Sequence, residues 1–148
     1  MTTIRRATAT DLTELSILFD LYRVFYNKET DLPGAKKFLE EVLRTNASVI
    51  FLADEDGKVI GFTQLYPQFS STRMKKFWLL NDLYVLQEYR GKGVSKQLIE
   101  TAKEWTRQTN ATGLLLETGK DNHIGNQLYP STGFSLYNET NFYWWENS

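Results

Sequence analysis

Apolar positions along the chain switch repeatedly between a helical and a strand period, and the order of those switches predicts an α/β protein. Ile4 to Ala7 reads as a short opening strand. From Leu12 the period becomes helical: Leu12, Leu15, Leu18, Phe19, Tyr22, Phe25 and Tyr26 share a face, with Asp11 as cap and Glu14 completing a capping box. Pro33 suits the first turn of a second helix whose stripe is Ala35, Phe38, Leu39, Val42 and Leu43. Val49 to Ala53 is a continuous apolar run, Asp54-Glu55-Asp56-Gly57 a turn, and Val59 to Tyr66 the returning strand of a hairpin, ended by Pro67. Another strand is predicted from Phe77 to Val85, followed by a helix carrying Val94, Leu98, Ile99, Ala102 and Trp105 on one face. Leu114-Leu115-Leu116 has the form of a buried strand, Asn122 to Ser131 is helical, and Phe134 to Tyr137 with Phe142 to Trp145 form a closing hairpin. The result is a β-α-α-β-β-β-α-β-α-β-β order, a mixed sheet of about seven strands with four helices.

Composition narrows the function classes. At 148 residues the chain is one domain's worth, 1–148, with no repeat or linker to divide it. Seventeen basic against eighteen acidic residues leave a net charge of −1, without the basic excess of a dedicated nucleic-acid binder. There is no cysteine, which excludes disulfide scaffolds, thiolate zinc sites and a covalent cysteine mechanism. His123 is the only histidine, so no metal site is expected. No stretch reaches the ~20 apolar residues of a membrane span, and the N-terminal residues lack the apolar core of a signal peptide. A soluble, cytoplasmic protein is the expectation.

The segment richest in chemistry is Asn81-Asp82-Leu83-Tyr84-Val85-Leu86-Gln87-Glu88-Tyr89-Arg90-Gly91-Lys92-Gly93-Val94-Ser95. A strand runs into a glycine-rich turn and then a helix whose first amides lack internal partners. Such a turn suits a phosphate or pyrophosphate, with Arg90 and Lys92 adding charge and Ser95 a donor. A Walker loop is absent: Gly113 to Lys120 has five intervening residues, and Asp121 stands where magnesium needs Ser or Thr. A dinucleotide fingerprint finds two of its glycines in Gly91 and Gly93 but Lys96 at the third, and no second βαβ half follows.

A second segment separates these readings: Asn122-His123-Ile124-Gly125-Asn126-Gln127-Leu128-Tyr129-Pro130-Ser131-Thr132-Gly133-Phe134. Together with Arg90-Gly91-Lys92-Gly93 it resembles the GNAT superfamily of acetyl-coenzyme A-dependent N-acetyltransferases, whose element order matches nearly the whole chain. Gly61 to Pro67, Phe69-Ser70-Ser71 and Trp78 to Leu83 are similar to bacterial relatives of the yeast histone-and-protein acetyltransferase type and, more distantly, to polyamine acetyltransferases. Two features depart from the pattern. Glu88 stands where Gln or Arg is usual, and Gly125 where Ala is usual.

The resemblance implies a GNAT fold, a mixed and mostly antiparallel twisted sheet, with acetyl-coenzyme A as cosubstrate and no metal. It implies that the backbone of Leu83, Tyr84 and Val85 pairs with the pantetheine arm. Arg90, Gly91, Lys92, Gly93, Val94, Ser95 and Lys96 would hold the phosphates, and Asn122 would bond the pantetheine. Tyr129 would protonate the departing thiolate, its phenol (ordinary pKa ~10) facing a thiol near ~8.5. An acceptor amine arrives as ammonium, so a carboxylate must take its proton; Asp82 is the first candidate and Glu117 the second. Tyr22, Tyr26, Tyr66 and Trp78, with Phe69, would wall the acceptor cleft, where aromatic faces favour a cation. With no thiol to carry acetyl, the amine would attack the thioester directly in a ternary complex. The acceptor stays open among polyamine, amino acid, aminoglycoside and protein amines. A non-catalytic acyl-coenzyme A sensor and a nucleotide-dependent oxidoreductase are the rival readings. The dense aromatic strand Phe142-Tyr143-Trp144-Trp145 needs cover on both faces, from a partner or from the protein's own helices, and the resemblance implies a homodimer.

Overall fold

The apolar run after Ser48 folds as strand β2 (Val49–Glu55) and returns through the Asp56-Gly57 turn as β3 (Lys58–Ser70). The computed structural model describes residues 1–148 and divides them into two units, Met1–Glu117 and Thr118–Ser148. In the first unit β1 (Thr2–Arg6) pairs antiparallel with β2, β2 with β3, and β3 with β4 (Lys75–Val85). Strand β5 (Leu114–Leu116) runs parallel to β4, giving a five-stranded mixed sheet in the order β1-β2-β3-β4-β5. Three helices accompany it: α1 (Leu12–Phe25), α2 (Leu32–Thr45) and α3 (Val94–Gln108).

Strand β2 shows why its sequence is apolar without alternation. Ile50 and Leu52 enter a core with Leu15 and Leu18 of α1 and Leu39 and Val42 of α2. Phe51, on the opposite face, meets Trp105 of α3 with ring centroids 5.9 Å apart. Both faces are covered, so both need apolar side chains. Helix α2 begins where Asp31 accepts from the Gly34 amide and ends at Asn46 in the left-handed region.

Three local expectations need correction. Glu14 does not cap α1; it accepts from the Val59 amide at 3.3 Å, while Asp11 accepts from the Thr8 amide at 2.8 Å and holds Arg5 in two bonds. The cap signal therefore serves a short 3₁₀ turn, Ala9–Asp11, that precedes the helix. Pro67 does not end its strand, which continues to Ser70. Pairing of β2 with β3 stops at Leu65, so Pro67 sits where β3 has only β4 beside it and its missing N–H breaks no second ladder.

The third correction concerns strand number. The sheet has five strands rather than about seven, and residues 134–148 form no closing hairpin. Phe142, Tyr143, Trp144 and Trp145 are between 78% and 91% exposed. Their β-propensity marks side chains that fit a pleated surface; it does not supply the neighbouring backbone that makes a strand.

The second unit is built on α4 (His123–Ser131). Asn122 caps it, its side-chain oxygen accepting from the Gly125 amide at 3.1 Å. Pro130 lies in the last turn, and the Phe134 amide closes back on the Tyr129 carbonyl at 3.1 Å.

Candidate active site

Pairing between β4 and β5 covers only three rungs, Trp78 with Leu114 through Leu80 with Leu116. From Asn81 to Val85, β4 keeps β3 on one side and has no strand on the other. Leu83, Tyr84 and Val85 lie on this open stretch, where an extended, amide-bearing ligand can add to the sheet edge. Gly61 sits opposite Val85, and a Cβ there would come within 2.8 Å of the Tyr84 carbonyl oxygen, so glycine lets β3 approach the open strand closely.

Beyond Val85 the chain turns through Gln87–Tyr89 and enters α3 by way of Arg90-Gly91-Lys92-Gly93. Gly91 and Gly93 have φ of +76° and +84°, a region that L side chains rarely adopt, and open space lies where their side chains would be. Gly93 caps the helix without a side chain, so no cap oxygen serves the amides of the first turn, at Val94, Ser95 and Lys96. The helix dipole and these free donors fit an anionic group, which is the chemistry a pyrophosphate brings. Lys58 and Lys92 place their ammonium groups over the Tyr89 ring at 5.5 and 5.4 Å, adding positive charge beside the loop. Arg90 is used differently. Its Nε donates to the Val85 carbonyl at 2.8 Å, and its guanidinium lies over Phe25 and Tyr84, tying the end of α1 to the end of β4.

One turn of sequence earlier the β3–β4 register shifts. Gln64 opposes Asp82 and Leu65 opposes Leu80, so Asn81 is the extra residue of a bulge. Asp82 is only 5% exposed, and none of the ion pairs in the chain includes it. Its carboxylate instead accepts from Gln64 Nε2 at 2.7 Å and from Asn81 Nδ2 at 3.1 Å. Gln64, fully buried, accepts in turn from Ser48 Oγ at 2.7 Å, and Thr63 Oγ1 donates to the Asp82 carbonyl at 2.8 Å. Tyr26, just past the end of α1, and Tyr66 of β3 both feel the Asp82 charge. Burial first, and that negative charge second, raise both phenols, Tyr66 to about 12. Tyr22 packs edge-on against Tyr26 and Tyr84, with its hydroxyl 3.5 Å from the Asn81 carbonyl.

A buried carboxylate with hydrogen-bond donors but no cation, flanked by aromatic rings, is arranged to receive a positive group or its proton. Trp78 does not belong to this wall. It is 4% exposed, donates Nε1 to Thr109 and packs on Trp105, a core position fixed by the β4–α3 contact. Phe69, at 80% exposure, projects from the far end of β3. Glu117 is exposed just past β5 and takes no part in the Asp82 network. In the second unit, Asn122 also donates Nδ2 to Thr118 at 2.8 Å, and the Tyr129 ring stands edge-on to Phe134 at 5.9 Å.

The profile of the Acetyltransferase (GNAT) family matches residues 15–134. The chain belongs to this family. It is 43% identical over 131 residues to an uncharacterized N-acetyltransferase, YhfO, of Bacillus subtilis, covering 88% of each sequence. A crystal structure of a probable acetyltransferase superposes with a TM-score of 0.93 at 40% identity, over 99% of this chain and 98% of that one. An aminoglycoside N-acetyltransferase in complex with coenzyme A shares the fold, with a TM-score of 0.83 at 23% identity over 99% of this chain and 96% of that one.

For this GNAT chain, the sequence singled out the loop and Asp82 as candidates but not Ser48, Thr63 and Gln64, whose hydrogen bonds surround Asp82. A signal was present. Thr63-Gln64 interrupts the apolar stretch of β3, and polar residues inside such a run must find buried partners.

Proposed function

We propose that the chain transfers acetyl from acetyl-coenzyme A to a primary amine by direct attack in a ternary complex. The observation that carries this reading is Asp82, a carboxylate buried without a cation beside the open edge of β4. Leu83 to Val85 bind the pantetheine arm, and the loop from Arg90 through Lys96 together with Asn122 secures the rest of the cosubstrate. Tyr22, Tyr26 and Tyr66 wall the acceptor site, and Asp82 accepts the amine proton, directly or through water, with Glu117 as the alternative base. As the amine nitrogen bonds to the thioester carbon, the C–S bond breaks, and Tyr129 gives its hydroxyl proton to the leaving sulfur. The products are an amide and free coenzyme A. A backbone amide near Val85 supports the oxyanion.

A single N-acetyltransferase domain, 1–148, is part of the proposal, supported by a family match over residues 15–134. A cytoplasmic homodimer completes the proposal, supported by the exposed aromatic run Phe142–Trp145. The relative bound to coenzyme A is an aminoglycoside enzyme, so small polar amines lead the list of acceptors. Thiol release from acetyl-coenzyme A is measured over a panel of neamine, spermidine and a lysine peptide. Turnover with any of them supports the enzyme; tight acetyl-coenzyme A binding without turnover of any amine supports the acyl-coenzyme A sensor instead.

A further inference from the structure

A carboxylate that is to meet an amine must be held in one place and one orientation, and in this chain two buried polar residues, Gln64 and Ser48, do the holding. An ionised carboxylate only accepts hydrogen bonds. The Gln64 amide must therefore turn its NH₂ toward Asp82, which it does at 2.7 Å, and this leaves its carbonyl oxygen facing Ser48. That oxygen also only accepts, so the Ser48 hydroxyl must donate, again at 2.7 Å. The order of the chain, Ser48 to Gln64 to Asp82, has one direction and every link is buried: Ser48 is 5%, Gln64 0% and Asp82 5% exposed.

Sheet geometry places these residues with little freedom. Gln64 lies opposite Asp82 across the β3–β4 pair, and Ser48 immediately precedes β2, whose first residue pairs with Leu65. The Asn81 bulge shifts the register between these two rungs. Asn81 holds the second carboxylate oxygen, and Thr63 fixes the Asp82 carbonyl. Three side chains, Thr63 and Gln64 from β3 and Asn81 from β4, thus converge on one acidic residue, and Ser48 stands behind Gln64. A fully buried glutamine between two strands is a costly way to fill a core unless its bonds matter.

We propose that Gln64 and Ser48 are positioning residues for acetyl transfer, a one-way hydrogen-bond relay that orients the Asp82 carboxylate toward the acceptor amine. The inference rests on Asp82 receiving that amine, as set out under the proposed function. The residues act through Asp82 and touch neither substrate. Tyr26, just past α1, and Tyr66 from β3 are titratable groups that face Asp82, and Tyr22 of α1 packs beside Tyr26 with its hydroxyl 3.5 Å from the Asn81 carbonyl.

The test compares Ser48→Ala, Gln64→Glu and Asp82→Asn, each alone, and Ser48→Ala combined with Asp82→Asn. Rates use the amine of the panel turned over fastest, from pH 6 to 9, with coenzyme A affinity by calorimetry and melting temperature as folding controls. Gln64→Glu puts a second carboxylate against the first, and two acids at that distance share a proton. The acid limb of kcat/KM for the amine should move up by about one pH unit or more, with KM for acetyl-coenzyme A unchanged. Ser48→Ala frees the amide to rotate and should lower kcat/KM for the amine about 5–20-fold, a loss of the order of one hydrogen bond. In the Asp82→Asn background the same substitution should cost less than about 2-fold, because a relay without its target has nothing left to orient. Equal losses in both backgrounds, or a wild-type pH profile in a folded Gln64→Glu protein, overturn the relay. Full activity in Asp82→Asn overturns the amine-site reading beneath it, and the two failures are distinguishable.

Discussion

Tyr129 and Asp82 are assigned opposite proton duties, one giving to sulfur and one taking from nitrogen, and single substitutions separate them. Tyr129→Phe keeps the ring that stands against Phe134 and removes only the hydroxyl. Turnover should fall ~10²–10⁴-fold, the usual worth of a positioned acid, while coenzyme A affinity stays near wild type by calorimetry. Unchanged turnover removes Tyr129 from the mechanism. Legibility at this scale followed chemistry more than burial. Asp82 stands out in sequence because a lone acid in an apolar strand is unusual, but its partner Gln64 is legible only once register is known, since the two are 18 positions apart. The same limit misplaced Trp78: an aromatic on a strand next to the site looks like a cleft wall until α3 is seen to cover it.

Among the elements, the loop into α3 carries the cosubstrate argument. Gly93→Asp would introduce a side chain at φ +84° and a negative charge at the helix N-terminus. Affinity for coenzyme A should fall at least 10-fold while α3 persists by circular dichroism; unchanged affinity in the folded variant contradicts the anion site. This loop was readable because its two glycines, its helix start and its basic residues are contiguous in the chain. Helices and central strands were equally readable, since amphipathic spacing and uninterrupted apolar runs are local signals. Pro67 and the closing hairpin were misread because the outcome depends on how many neighbours a strand has at that point. Proline is tolerated where β2 has ended, and an aromatic run becomes a strand only when another backbone lies beside it.

For the molecule as a whole, acid should weaken the fold in part through Asp20. Thr30 and the Asp31 amide donate to its carboxylate, with Arg23 nearby, and hold its pKa below the ordinary carboxylate value. A depressed folded-state value means that this contribution is present above about pH 4 and lost as pH falls through the lower value. Asp20→Asn should melt below wild type at pH 7, and the gap should narrow by pH 3; a gap constant with pH removes Asp20 as the cause. The exposed run Phe142–Trp145 predicts association. Four aromatic side chains of ~150–250 Å² each could bury an area comparable to a standard interface when two copies meet. Light scattering at micromolar concentration should give the mass of a dimer, and deleting residues 142–148 should return a monomer. A monomer mass for the full chain contradicts the dimer.

The most direct test of the central claim, that a buried carboxylate beside the open strand receives an amine for acetylation, is thiol release by wild type and Asp82→Asn with the best amine of the panel. The account predicts turnover in the wild type, a loss of ~10²–10⁴-fold in Asp82→Asn at neutral pH, and unchanged coenzyme A affinity. Equal rates in the two proteins would contradict it.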